Sequence, residues 1–299
     1  MGGPPGGSAQ RAAALELLSA EEIWALSRVR FSLRRARAAF PGGHLSHRAG
    51  ASLEFADHRP YQPGDDLRLL DWAVYARHRK LVTKVFSREV EAPFYLLLDH
   101  SASMGLEGKL LFAKRLAAAI LFLAFRSGDR FNVYPFSTDI SQWGKPKRGR
   151  TALVQAFLAL SEVVPQGRTD LGKALSAWAE RGWEPGLCLV LSDFLAPGAR
   201  EGLAALRFGR HAVAAVQILS PQDLAPPLLG EVRLVDVEEG RGRPVVVGPA
   251  ARRAYQENLR RWNRTFSQIC EELGVAQFLF LADSSPVAAA LTLARRWKP

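Results

Sequence analysis

The rhythm of hydrophobic and polar positions changes near residue 93. From there, short apolar runs alternate with stretches of helical spacing. PFYLLLD (93–99) is followed by a helical pattern over 110–127, RFNVYPF (130–136), helical patterns over 151–163 and 171–181, LCLVLSD (187–193), a helix over 199–208 and HAVAAVQIL (211–219). Continuous apolar runs have no polar face to give to water, so they predict strands of a parallel sheet covered by helices on both faces. EVRLVDVEEGRGRPVVV (231–247) reads as a two-stranded hairpin with Gly240 to Gly242 as its turn, followed by an amphipathic helix over 249–273, a strand over 276–282 and a helix over 286–297. The fold class is α/β, with a mostly parallel sheet.

Upstream the pattern differs. Residues 1–10 are Gly and Pro with nothing to bury, a flexible tail. Residues 11–40 turn helical, with Ser19 and Glu22 in capping-box spacing before Ile23, Leu26, Val29 and Leu33 on one face. Arg28, Arg34, Arg35 and Arg37 occupy the opposite, solvated face. Pro41, Gly42 and Gly43 end that helix, and 50–89 reads as turns and short strands because Pro60, Pro63 and Gly64 interrupt any long periodicity. The expected organisation is a tail (1–10), an N-terminal helix with an irregular segment (11–90) and a sheet domain (91–299).

Composition narrows the class without naming it. The 299 residues are 48% hydrophobic, enough for a folded core and far from a disordered chain. Lys plus Arg number 40 against 29 Asp plus Glu, a net charge of 40 − 29 = +11, but the cations are scattered among acids. Nucleic-acid binding through Arg34, Arg35 and Arg37, or through Lys145, Lys147, Arg148 and Arg150, is therefore the rival reading. Cys188 and Cys270 cannot build a disulfide framework and read as buried thiols in a reducing compartment. The apolar stretch 116–125 is half the about 20 residues a membrane span needs, so it reads as a buried helix. No leader pattern opens the chain, which favours a cytoplasmic protein.

The candidate chemistry sits at strand ends, where doubly wound sheets bind ligands. Two apolar runs end in carboxylates, Asp99 and Asp193; Ser101 and Ser103 follow the first, and Thr169 lies in the loop GRTDLG. Carboxylate and hydroxyl oxygens from three segments suit a hard cation such as Mg²⁺, and an acidic side chain of a partner would complete its coordination. Ser103 lacks the flanking glycines and placed histidine of an acyl nucleophile. A Mg²⁺-dependent phosphohydrolase is a third reading, for which the sequence lacks a Gly-rich phosphate loop and an evident arrangement of acids around a phosphate. His44 and His47 show HxxH spacing without a third ligand for zinc. Asp65, Asp66 and Asp71, near Arg59, Arg68 and Arg77, read as structural salt links and turn hydrogen bonds, with Trp72 and Tyr75 packing the same segment.

DHSAS, Thr169 and the Asp193 of LVLSD resemble the metal-ion-dependent adhesion site of a von Willebrand factor type A domain. More specifically, the chain resembles the bacterial domain of unknown function 58 family, which carries a characteristic segment before that domain. Here the segment reads Gly50, Glu54, Phe55, Arg59, Tyr61, Pro63, Gly64, Asp65, Asp66, Arg68, Asp71, Trp72, Ala76 and Arg77. The string YxPGDDxRxxDW with DxSxSM carries the resemblance, which covers nearly the whole chain after the tail. It implies a von Willebrand factor A-like fold and Mg²⁺ (or Mn²⁺ or Ca²⁺) held by Asp99, Ser101, Ser103, Thr169 and Asp193. It also implies a non-enzymatic adaptor working with a MoxR-type AAA+ ATPase in the assembly or activation of other proteins. Many relatives carry a hydrophobic hairpin near the N terminus that this sequence lacks, which implies a cytoplasmic member without a membrane span.

Overall fold

The computed structural model describes residues 17–29, 53–88, 92–141, 143–235 and 242–297, with backbone alone for 53–57 and 84–88. The tail expected over 1–10, most of the helix expected over 11–40, and His44, His47, Arg34, Arg35 and Arg37 lie outside the described residues, as does the Glu54 side chain. The chain divides into two compact units, Met1–Leu33 with Ala92–Pro299, and Arg34–Glu91.

The larger unit opens with helix α1 (Ala20–Ser27), capped as its sequence predicts: Ser19 accepts from the Glu22 amide while Glu22 accepts from the Ser19 amide. Five strands follow, β3 (Phe94–Asp99), β4 (Phe131–Phe136), β5 (Leu187–Ser192), β6 (Ala212–Leu219) and β9 (Ala276–Leu281), the smaller unit and a hairpin supplying the other four. They form a parallel sheet in the order β4-β3-β5-β6-β9. Numbered among themselves this is the flavodoxin-like order 2-1-3-4-5, and the α/β, von Willebrand A-like architecture expected from the sequence is present. Strands β3 and β5 are buried at every position, which is why their sequences are unbroken apolar runs rather than alternating ones.

Helices α3 (Lys109–Arg126), α4 (Arg150–Glu162), α5 (Leu171–Ala179), α6 (Ala199–Phe208), α7 (Pro221–Leu224), α8 (Pro249–Leu273) and α9 (Pro286–Arg296) complete this unit. One sheet face packs Tyr95, Leu97, Cys188 and Val190 under Trp178 of α5, Leu203 of α6 and Phe266 of α8. Gly202 lets α6 approach α5, since a Cβ there would lie 2.6 Å from the Leu171 carbonyl oxygen. Helix α3 covers the other face, and its unbroken apolar run over 116–125 reflects burial between the sheet, α1 and α9. Arg115 of α3 holds α1 in place, donating to both carboxylate oxygens of Glu22 (2.8 and 2.9 Å) and to the Leu17 carbonyl. Cys188 and Cys270 are buried free thiols. No helix among the described residues is long and apolar enough to cross a membrane.

The hairpin expected over 231–247 is present as β7 (Gly230–Val235) and β8 (Gly242–Val247). Gly242 already pairs with Val235 and belongs to β8 rather than to the turn, so the connection spans 236–241.

In the smaller unit, β1 (Leu53–Pro60) pairs antiparallel with β2 (Val82–Arg88) around a bulge between Phe55 and Asp57. The intervening chain holds a 3-10 turn (Leu67–Leu69) and helix α2 (Trp72–His78). The irregular reading of this segment overlooks α2, a two-turn helix too short to reveal apolar periodicity.

Candidate functional site

Strand order reverses between β3 and β5, and there the crevice beyond the carboxyl ends of the strands is built. Asp99 ends β3, and Ser192 and Asp193 end β5. Asp99 is fully buried. One of its oxygens accepts from the Ser101 amide (2.9 Å) and the Thr169 hydroxyl (3.4 Å), the other from the Ser192 hydroxyl (2.6 Å). The Ser101 and Ser103 hydroxyls share a hydrogen bond at 3.1 Å. Burial pushes the Asp99 carboxyl up to about 6, with the neighbouring Asp193 charge adding to it and the Ser192 and Ser101 hydrogen bonds opposing it.

Asp193 faces a different partner. One oxygen accepts from the Leu195 amide at 3.2 Å; the other receives the Lys109 ammonium at 2.9 Å. That ammonium also lies 3.3 Å from a carboxylate oxygen of Asp223, which belongs to the capping box Ser220 forms at the start of α7. Lys109 is 1% exposed. Burial by itself would depress its pKa, but Asp193 and Asp223 outweigh that and hold it above the ordinary lysine value. It occupies the first turn of α3, where the helix macrodipole disfavours a cation, so the two carboxylates also offset the dipole.

The five residues expected to hold a metal, Asp99, Ser101, Ser103, Thr169 and Asp193, thus gather at one sheet edge, but the expected Mg²⁺ (or Mn²⁺ or Ca²⁺) is corrected. Among the described residues no group of three or more His, Cys, Asp or Glu could hold a metal ion. The physical reason is the engagement of the oxygens. Both Asp99 oxygens and one Asp193 oxygen accept hydrogen bonds from the chain, and the remaining Asp193 oxygen is neutralised by a lysine of the same protein.

The site's other supports were not readable as a pattern. Phe194 adopts a left-handed backbone (φ 51°), uncommon and costly for a residue with a Cβ. It is held by a tilted ring contact with Phe266 (4.6 Å between ring centroids) and by the Trp262 indole, which donates to its carbonyl at 2.8 Å. Gln217 of β6 donates to the Asp193 carbonyl at 3.2 Å, tying a third strand to the same corner. Asp170 caps α5 through the Lys173 amide. His100 turns away from the crevice. Its ring reaches the Val164 carbonyl (3.1 Å) and the Ser141 hydroxyl (2.9 Å), beside a cavity of about 340 Å³, and burial lowers its pKa.

In the smaller unit the motif acids serve the backbone, as their spacing suggests. Asp65 accepts from the Gln62 amide, Arg59 and the Thr83 hydroxyl, and the Gln62 amide and Arg59 hold its carboxyl below the ordinary value. Asp66 caps the 3-10 turn through the Arg68 amide. Asp71 caps α2 through the Ala73 and Val74 amides and reaches the His58 ring at 2.9 Å. Gly64 sits at φ 105°, open to glycine and strained for other residues, and the Tyr61 amide donates to Leu81. Trp72, expected as a packing residue, is instead 61% exposed.

A parallel sheet of this order flanked by helices makes this an α/β protein whose topology matches the von Willebrand A-like one. Residues 57–265 match the family described as "protein of unknown function DUF58", and the chain belongs to that family. It is 34% identical over 223 residues to an uncharacterised protein of Mycobacterium bovis and to one of Mycobacterium tuberculosis, covering 71% of this chain and 69% of each relative. Solved structures with a similar fold include the conserved hypothetical protein BatB of Bacteroides thetaiotaomicron (17% identity, TM-score 0.47, 68% of this chain and 96% of that one). Another is a von Willebrand factor type A protein of Catenulispora acidiphila (16% identity, TM-score 0.42, 72% and 43%). These scores are low, so the architecture rests on the strand order of this chain itself.

Proposed function

We propose that this protein is a non-enzymatic protein-binding module that works beside a MoxR-type AAA+ ATPase, presenting folded surfaces to a partner protein. The observation that carries this reading is the placement of the Lys109 ammonium between Asp193 and Asp223. A hydrolytic crevice at a switch point uses its carboxylates on substrate, or on a cation that touches substrate. Here they hold together the ends of β3 and β5, the start of α3 and the start of α7, and the product of that arrangement is a rigid edge. The partnership with the ATPase is what the resemblance carried by residues 50–77 and DHSASM implies.

The test is direct binding of the full chain to a purified MoxR-type ATPase encoded in the same genome, measured by interferometry with and without ATP. A saturable complex is expected, with no turnover of aryl phosphates or peptides by this protein alone. Lack of any complex, or a turnover abolished by Asp99→Ala, would overturn the reading.

A further inference from the structure

The carboxylates and the cations of the smaller unit are used unequally. Asp65, Asp66 and Asp71 are committed to backbone amides, Arg59 and His58, as described above. Arg68, Arg77, Arg79 and Lys80 are exposed and make no ion pair among the described residues. Among the described residues of the unit, Asp65 and Asp71 are partly buried and held by the chain, while these four cations face solvent.

Arg77 lies on α2 itself, Arg68 on the 3-10 turn before it, and Arg79 and Lys80 directly after it. Trp72, Ala73, Ala76 and Arg77 of α2 are all exposed, at the spacing i, i+1, i+4 and i+5 that places residues on one side of a helix. Val74 and Tyr75, on the other side, are partly buried. The two alanines leave a shallow floor beside the Trp72 ring, and Leu67, 59% exposed, precedes it on the 3-10 turn. Exposed tryptophan with arginine is the composition of a protein-binding hot spot.

A second observation is independent of exposure. Arg79 ends α2 in the left-handed region (φ 56°), the position at which helices favour glycine. Its guanidinium is held 5.9 Å from the Tyr75 ring centroid. An arginine there costs backbone strain that a glycine would not.

We infer that the exposed face of α2, Trp72 with Ala73, Ala76 and Arg77, flanked by Arg68, Arg79 and Lys80, docks an acidic protein segment that places an apolar side chain over the two alanines. The inference deepens the protein-binding reading and rests on it. Leu67 and the alanine floor favour a peptide over a nucleic acid, because aliphatic surface contributes little to a charged backbone or to base stacking.

The test uses the full chain and three probes: a short peptide of alternating glutamate and leucine, single-stranded DNA, and the purified ATPase. Trp72→Ala and Arg77→Glu should each weaken peptide binding about tenfold or more, while Arg260→Glu, an exposed cation on α8, should leave it unchanged. Arg79→Gly should raise the melting temperature and still weaken the peptide, which separates a lost contact from a lost fold. Equal peptide affinity in all variants, or tighter binding of DNA that falls with the same variants, would overturn the inference. If the ATPase fails to bind wild type while the peptide behaves as expected, the ATPase reading falls and the docking face stands. If the ATPase binds every variant as it binds wild type, the ATPase docks elsewhere and the face is overturned as its dock.

Discussion

Lys109 and Asp193 lie 84 residues apart in sequence and 2.9 Å apart in space, with both side chains 2% exposed. An ion pair so sealed stabilises little compared with an apolar pair of the same shape, yet removing one member leaves an uncompensated charge. Lys109→Met should therefore cost about 3–5 kcal/mol in urea unfolding. Adding Asp193→Asn to that variant should recover part of the loss, because one orphaned charge is gone. A Lys109→Met protein as stable as wild type would mean that the ammonium is not the cation of this edge.

Divalent ions should leave the wild-type melting temperature where it is. A ligand that binds only the folded state raises stability by RT ln(1 + [L]/Kd), so a saturable site would announce itself as a concentration-dependent rise. Scanning fluorimetry in millimolar Mg²⁺, Mn²⁺ or Ca²⁺ and in chelator is expected to give superimposable curves. A progressive rise with any of these ions would contradict the assignment of the charge to Lys109.

Two buried groups oppose each other between about pH 4 and pH 6. Asp99, raised by burial to about 6 from an ordinary value near 3.8, binds its proton in the folded state first, so its contribution makes the fold less stable as pH rises through that window. His211 is buried against Tyr95 and Trp178, and its Nδ1 accepts from the Gly186 amide. Burial lowers its pKa to about 4 from 6.5, so its contribution is lost as pH falls through the same window, and His100 acts in the same direction. The Asp99 and His211 contributions are of order 3 kcal/mol each. Wild-type stability should consequently change little there. Asp99→Asn should unmask a steep loss of stability on acidification, read as melting temperature against pH. An unchanged profile would mean that Asp99 titrates near its ordinary value.

Asp71→Ala removes the cap of α2 and the partner of His58, and should cost the smaller unit about 1–2 kcal/mol. Hydrogen exchange at the Ala73 and Val74 amides is the sensitive measurement, since both donate to Asp71. The larger unit's protection should stay as it was. Unchanged exchange at these two amides would leave the motif aspartate without its structural role.

The larger unit was legible because burial on both sheet faces writes itself as apolar runs, and PFYLLLD and LCLVLSD name their strands and their terminal acids together. The convergence of Asp99, Ser101, Thr169 and Asp193 was legible for the same reason. What occupies the space beside them was not, because a lysine near a helix start looks like any solvated cation until its two carboxylates are in place. One signal was available: Lys109 stands at the positive end of a helix dipole, where an unpaired ammonium is disfavoured. The exposure of Trp72 was hidden for another reason, since one tryptophan beside a tyrosine reads equally as core or as surface when the helix carrying it is two turns long.

The sheet closes late. Strand β9 lies outside β6 but follows it only after the β7–β8 hairpin and the long helix α8, so of the five strands it is the last to be synthesised. Until Ala276–Leu281 emerges from the ribosome, β6, one of the most apolar segments of the chain, has a bare hydrogen-bonding edge. The incoming strand, AQFLFL, bears no charge to discourage pairing with a neighbouring chain. Any partly folded state in which β9 has not yet docked therefore offers the β6 edge to strand pairing with a neighbouring chain.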